Sequence, residues 1–142
     1  MLSDPLPSTT MERQTRQKQA VMQAIESSGR SLNPNEIWGL AQQAVPSLNL
    51  STVYRQIKAL QDDAHVVRVD LPGQPPRYEA VCHAPVARGH VHHHHHFHCT
   101  ACEQVFPIHG CPGGIDRLAP AGFQVQTHDI TLHGRCAECA AA

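Results

Sequence analysis

The chain has 142 residues, of which 41% are apolar and only 4% aromatic, and its formal net charge at pH 7 is −1. That length makes one ordinary domain or two small ones, and a core built from Leu, Ile, Val and Ala leaves each small half in need of a metal or a partner subunit. No apolar stretch approaches the roughly 18 residues of a membrane span and no basic region leads into an apolar signal core, which argues against a membrane partner and for a cytoplasmic protein.

Residues 1–10 carry Pro, Ser and Thr without periodicity and read as a flexible start. From Thr15 to Ser27 the apolar residues Ala20, Val21, Ala24 and Ile25 recur at helical spacing, and Gly29 supplies the stop. Asn33, Pro34 and Glu36 have the order of N-cap, N1 and N3, opening a second helix through Ile37, Trp38, Leu40 and Ala41 as far as Pro46. Ser51 is the expected cap of a third helix, Thr52 to Asp62, with Val53, Ile57 and Leu60 inward and Tyr54, Arg55 and Lys58 on its other faces. Val66–Leu71, a turn with three prolines at 72–76, and Arg77–Val81 form a two-stranded hairpin. Three helices and a hairpin make a winged helix-turn-helix, placed at residues 1–81.

Residues 82–91 contain Pro and Gly without a period and are read as a hinge, followed by a second domain at 92–142. There the region around Phe97, Gln104–Ile108 and Phe123–Leu132 are strand-like, with Cys111–Ala121 as a connection holding at most a short helix. The fold class is therefore α+β: a winged helix followed by a small α/β domain.

Two Cys-x-x-Cys pairs, Cys99/Cys102 and Cys136/Cys139, lie behind five consecutive histidines, His92–His96. In a reducing compartment such pairs serve as metal ligands rather than disulfides, and four thiolates at this spacing close a tetrahedral Zn²⁺ shell of the structural kind. The histidine run is internal and leads straight into Phe97-His98-Cys99, unlike a tag. On a strand, alternate residues face opposite sides, so His93 and His95 would serve one site and His94 and His96 another.

Charge says little about nucleic acid. Seven basic residues stand against six acidic ones through residue 68, and four against six thereafter.

The span from about Thr15 to Cys139 resembles the ferric uptake regulator superfamily. Ser51-Thr52-Val53-Tyr54-Arg55 is similar to that family's recognition-helix motif, as are the His-rich segment ending in Cys-x-x-Cys and Gly134-Arg135-Cys136-Ala137-Glu138-Cys139 after His128. The resemblance implies a homodimeric, metal-activated repressor on a palindromic double-stranded DNA operator, with a C-terminal dimerisation domain and no small-molecule substrate. It implies that Ser51, Thr52, Tyr54 and Arg55 meet DNA, with Tyr54 on a thymine methyl and Arg55 on a phosphate or guanine edge, and that Lys18 meets the backbone or minor groove.

Carried over by position, the resemblance gives a sensor site of His93, His95, Cys111 and His128. A second site at the domain junction would take Glu79, Cys82, His94 and His96, with Asp70 as a further candidate. Iron-sensing members have Asp where this chain has His95 and Glu where it has Cys111. Imidazole and thiolate in those places suit tetrahedral Zn²⁺ better than octahedral Fe²⁺ or Mn²⁺. The expectation is a zinc-responsive repressor of metal-uptake genes, with an iron- or manganese-responsive member as the alternative. A metal-buffering protein would not need the recognition-helix motif, and a zinc hydrolase would need a His-Glu-x-x-His motif or another general base that the sequence does not offer.

Overall fold

The computed structural model describes residues 9–82 and 94–142, so residues 1–8 of the flexible start expected at 1–10 and most of the 82–91 hinge lie outside the described residues, while Thr9 and Thr10 prove to open the first helix. The chain divides between Val81 and Cys82 into two compact units.

The N-terminal unit is built on α1 (Thr10–Ser28), α2 (Pro34–Ala41) and α3 (Leu50–Asp62), followed by the antiparallel pair β1 (Val66–Val69) and β2 (Arg77–Ala80). Helix α1 begins five residues before its apolar period does. Thr9 and Glu12 form a reciprocal capping box, which satisfies orphan amide groups without any buried side chain, and Gly29, at φ 61°, ends the helix in the left-handed region. Asn33 and Glu36 make the same box for α2, with Pro34 at the first turn. That helix stops at Ala41, short of Pro46, and turns fill the gap.

The cap of α3 is Asn49, not Ser51. Asn49 Oδ1 accepts from the Thr52 amide at 2.9 Å, while the Ser51 hydroxyl donates to the same oxygen at 2.8 Å. Asn49 stands immediately before the helix, where its side-chain oxygen meets the amide three residues on, whereas Ser51 already lies inside the first turn and buttresses it. At the other end Ala64, at φ 58°, closes the helix, with the His65 amide bonded to Leu60 O and the Ala64 amide to Gln61 O.

Val21 and Ile25 of α1, Ile37 of α2 and Val53, Ile57 and Leu60 of α3 meet Leu32, Leu48, Val66 and Tyr78 in one apolar core. Leu32 and Tyr78 exchange both backbone hydrogen bonds, at 2.9 and 2.8 Å, so the linker after α1 adds a third rung to the wing. Buried Arg77 fastens the wing to α2 through Glu36 at 2.8 Å. Trp38 donates its indole N–H to Leu48 O, the polar tip finding a partner while the ring packs inward.

The C-terminal unit is a three-stranded sheet in the order β4–β3–β5, from β3 (His95–Cys99), β4 (Val105–Ile108) and β5 (Thr131–Gly134), ending in the short helix α4 (Ala137–Ala141). Strand β3 runs antiparallel to β4 and parallel to β5. A single 3-10 turn, Ile115–Leu118, interrupts the long connection from β4 to β5. The strand expected over Phe123–Leu132 shrinks to its last two residues and continues through His133 and Gly134, because residues 123–130 join no ladder and Phe123 and Val125 stay exposed. Among the described residues, Cys99 and Val105 are the only buried apolar side chains of this unit. His95, His96 and His98 fill the rest of its interior.

Replacing Asn49 by Ala should destabilise the N-terminal unit by about 1 kcal/mol in urea unfolding, and Ser51→Ala by clearly less. Equal losses would restore Ser51 as the cap.

Candidate metal centres and nucleic-acid interface

Alternation along β3 sorts the histidines. Successive side chains of a strand point to opposite faces, so His95, Phe97 and Cys99 share one face while His94, His96 and His98 line the other. Three groups of metal-ligating side chains form among the described residues, each with its donor atoms within 4.8 Å of one another.

Cys99, Cys102, Cys136 and Cys139 make the first. Cys99 ends β3, Cys102 sits on the tight turn that follows, and Cys136 caps α4, which carries Cys139. Gly134 joins the two halves: its carbonyl accepts from the Thr100 amide at 2.8 Å, and the edge of the Phe97 ring lies where a Cβ at this position would come within 3.3 Å. Cys102 and Cys136 sulfurs are 3.9 Å apart, far beyond the roughly 2.05 Å of a disulfide. The edge of a tetrahedron with arms of about 2.3 Å is about 3.8 Å, so the spacing fits a shared Zn²⁺-sized cation.

The electrostatics point the same way. Amide N–H groups of Cys136, at 3.3 Å, and Cys102, at 3.5 Å, aim at the Cys99 sulfur and lower its pKa to about 6 despite its burial. The neighbouring Cys136 side chain pushes the Cys139 thiol up to about 12. Four thiols this close cannot all ionise by themselves, and a divalent cation removes that conflict.

The second group is His95, Cys111 and His128. Cys111 Sγ and His128 Nε2 are 3.2 Å apart, the His95 and His128 rings lie 5.0 Å apart between centroids, and His95 Nδ1 accepts from the Ile130 amide at 3.1 Å. His93, assigned by sequence to this set, lies outside the described residues. Every donor gathered here is imidazole or thiol.

The third group differs from the sequence expectation. Cys82 and His94 are joined by His109, whose Nδ1 is 3.2 Å from His94 Nε2, and neither Glu79 nor His96 belongs to it. The β3–β4 register explains this: His95 pairs with Ile108, which sets His94 beside His109, while His96 lies further along the strand against Pro107 and is buried. Glu79 is buried in the N-terminal unit, where the Ser31 hydroxyl donates to it, and Asp70 is bonded to Arg68 at 2.9 Å. Sequence reasoning passed over His109 because the strand pairing that brings it to His94 is invisible in a linear spacing.

On α3, Ser51, Tyr54, Arg55 and Lys58 are exposed, with Tyr54 at 51%. Thr52 is not on that surface. It is buried, and its hydroxyl accepts from Arg55 Nη2 at 3.1 Å, so it orients Arg55 rather than meeting a ligand itself. Lys18 is ion-paired with Asp63, just past the end of α3.

The sequence profile of the ferric uptake regulator family matches residues 10–133. The chain belongs to the ferric uptake regulator family. Members are metal-responsive transcription regulators that bind DNA as dimers, not enzymes, and this chain is such a regulator. Its fold is also that of solved relatives. A zinc-bound manganese uptake regulator superposes with a TM-score of 0.68 at 22% identity, over 90% of this chain and 99% of that one. The Helicobacter pylori ferric uptake regulator, described as having three functional metal binding sites, gives 0.61 at 22% identity, over 88% and 80%. The holo form of the regulator XcZur gives 0.52 at 24%, over 89% and 85%. No helix among the described residues is long and apolar enough to cross a membrane.

The Lys18 ammonium holds the Asp63 carboxyl below its usual range. A depressed carboxylate adds stability above its unfolded pKa and loses it as pH falls through the lower folded value, so this tie between α1 and α3 is present at neutral pH and released in acid. In the Lys18→Ala variant the Asp63 titration, followed by carboxyl NMR shifts, should move back up toward the ordinary aspartate range.

Proposed function

We propose that this regulator is a zinc-responsive repressor of metal-uptake genes that binds a palindromic operator as a metal-loaded homodimer in the cytoplasm. The observation that carries the reading is the donor set of His95, Cys111 and His128, which brings imidazoles and a thiol together with no carboxylate among them. Zn²⁺ takes nitrogen and sulfur in a tetrahedron, whereas Fe²⁺ and Mn²⁺ favour oxygen donors and six positions. His93 is assigned as the fourth donor of this sensor site. Cys99, Cys102, Cys136 and Cys139 hold a structural Zn²⁺, whose part is to close the fold of the C-terminal unit. Cys82, His94 and His109 form a second, softer regulatory site in place of the Glu79 and His96 set.

The sensor donors come from three separate segments: His95 from β3, Cys111 from the start of the long connection and His128 from its end. A cation held by all three fastens that connection to the sheet. Such a ligand shifts the regulator toward the ordered state by its preference for that state, which is what control of DNA binding requires. Leu118, Phe123, Val125 and Leu132 of the same unit are exposed, and an apolar surface of this kind supports self-association. Two copies would then present two α3 helices to successive major grooves, with Tyr54 and Arg55 at the bases and Ser51 at the backbone. Lys18 contributes to DNA only once it leaves Asp63.

Operator binding at buffered free metal tests the metal assignment. Zn²⁺ should support repressor–DNA complex formation at far lower free concentration than Fe²⁺ or Mn²⁺, and Cys111→Ser should raise the Zn²⁺ midpoint by about tenfold or more while the four-cysteine zinc is retained. Equal midpoints for Zn²⁺ and Fe²⁺ would assign the protein to iron instead.

Gel-shift titration of the Tyr54→Ala and Arg55→Ala variants tests the interface. Each should cost about 1–3 kcal/mol per half-site with metal content unchanged, and Thr52→Val should lose less, through a less ordered Arg55. Undiminished affinity in both Ala variants would remove α3 from the groove.

A further inference from the structure

Glu103, His98 and His133 belong to none of the three metal groups, yet they are joined to one another. His98 is buried at the centre of the sheet, its Nε2 lies 2.8 Å from Glu103 Oε2, and its Nδ1 lies 3.3 Å from His133 Nδ1, with the two rings at 88°. Direct pairing of His98 with His133 across β3 and β5 sets that last contact. In the neutral tautomer that donates Nε2–H to Glu103, His98 carries its lone pair on Nδ1 and accepts there from His133 Nδ1–H.

The position of these residues matters more than their chemistry alone. His98 precedes Cys99, Glu103 follows Cys102, and His133 stands three residues before Cys136. The chain of hydrogen bonds therefore runs from the turn that carries one cysteine pair to the strand that delivers the other. His98 points away from Cys99, on the opposite face of β3, so it steadies that pair without competing as a ligand. Glu103 also has a left-handed backbone at φ 62°, a conformation that a non-glycine residue holds only against a cost, and its amide is bonded to Cys99 O at 2.9 Å. Its side-chain bond to His98 helps to hold that turn closed.

We propose that Glu103, His98 and His133 form a hydrogen-bonded clamp that holds the two cysteine pairs in register for cation capture, with His98 and His133 as positioning residues. Thirty-three residues separate Cys102 from Cys136, so without a clamp the second pair must be brought back across that loop each time a cation is captured. Partners outside the ligand shell that orient ligands are worth roughly 10- to 100-fold in metal affinity. The clamp rests on the reading of the four cysteines as a zinc site.

The test follows zinc loss from the full-length chain into excess EDTA, read as thiols reactive toward DTNB, in a Cys82→Ser, Cys111→Ser background so that only the four cysteines report. His133 is exposed, so His133→Leu keeps the fold, and it should release zinc about tenfold faster. His133→Asn restores an N–H donor near the same place and should return the rate to within about threefold of the parent. In the cobalt-substituted Leu variant the tetrahedral thiolate absorption should persist, since the ligands themselves are untouched. An unchanged release rate in His133→Leu overturns the clamp, and so does equal acceleration in the Leu and Asn variants, which would reflect packing. A parent protein that holds no zinc on its four cysteines overturns the underlying site as well, which separates the two failures.

Discussion

The C-terminal unit must hold three strands together with almost no apolar core. Cys99 and Val105 are its only buried apolar side chains among the described residues, and three histidines occupy the space that Leu or Ile would take in an ordinary sheet. Buried imidazoles demand partners, and they find them in backbone amides, carboxylates and one another. Closure of the unit therefore falls to the four sulfurs at its end. A cation bound by four thiolates contributes folding free energy directly, and the cluster lies where the apolar core is thinnest. The group of His95, Cys111 and His128 lies on the same side of β3 as Cys99, because His95 and Cys99 share a face of the strand.

The N-terminal unit is the opposite case. Its first two helices open on capping boxes and its third on Asn49, a continuous aliphatic core joins them, and its wing is tied to α2 by Arg77 and Glu36. None of the three candidate ligand groups among the described residues falls in it. One unit is held by an aliphatic core, and the other carries the polar interior and the candidate metal ligands.

Local signals were legible in the sequence where the physics was local. Asn33-Pro34 and Glu36 spelled out the start of α2, Gly29 the end of α1, and the paired cysteines their own cluster. Less is legible where neighbours compete or distant segments meet. The linear order does not rank Ser51 below Asn49 as a cap, and helical spacing alone does not reveal that the core covers Thr52. Only the register of β3 against β4 brings His109 to His94. The strand expected over Phe123–Leu132 had the right alternation but no neighbouring strand in its own chain to pair with.

Five identical side chains in a row carry a hazard peculiar to strands. A shift of β3 by one residue against its neighbours would ordinarily turn every buried side chain outward and be rejected at once. Here such a shift replaces His95 with His94 or His96, and His94 with His93 or His95, so imidazole stands at both candidate ligand positions in either shifted pairing. The histidine run is blind to its own alignment. Phe97, packed against Gly134, and Cys99, aimed at its three partner sulfurs, are the positions that tell the correct pairing from its neighbours. The four-cysteine cluster is thus an alignment mark as well as a ligand set: its sulfurs converge in one pairing of β3 only, and that pairing settles which way every histidine upstream of it points.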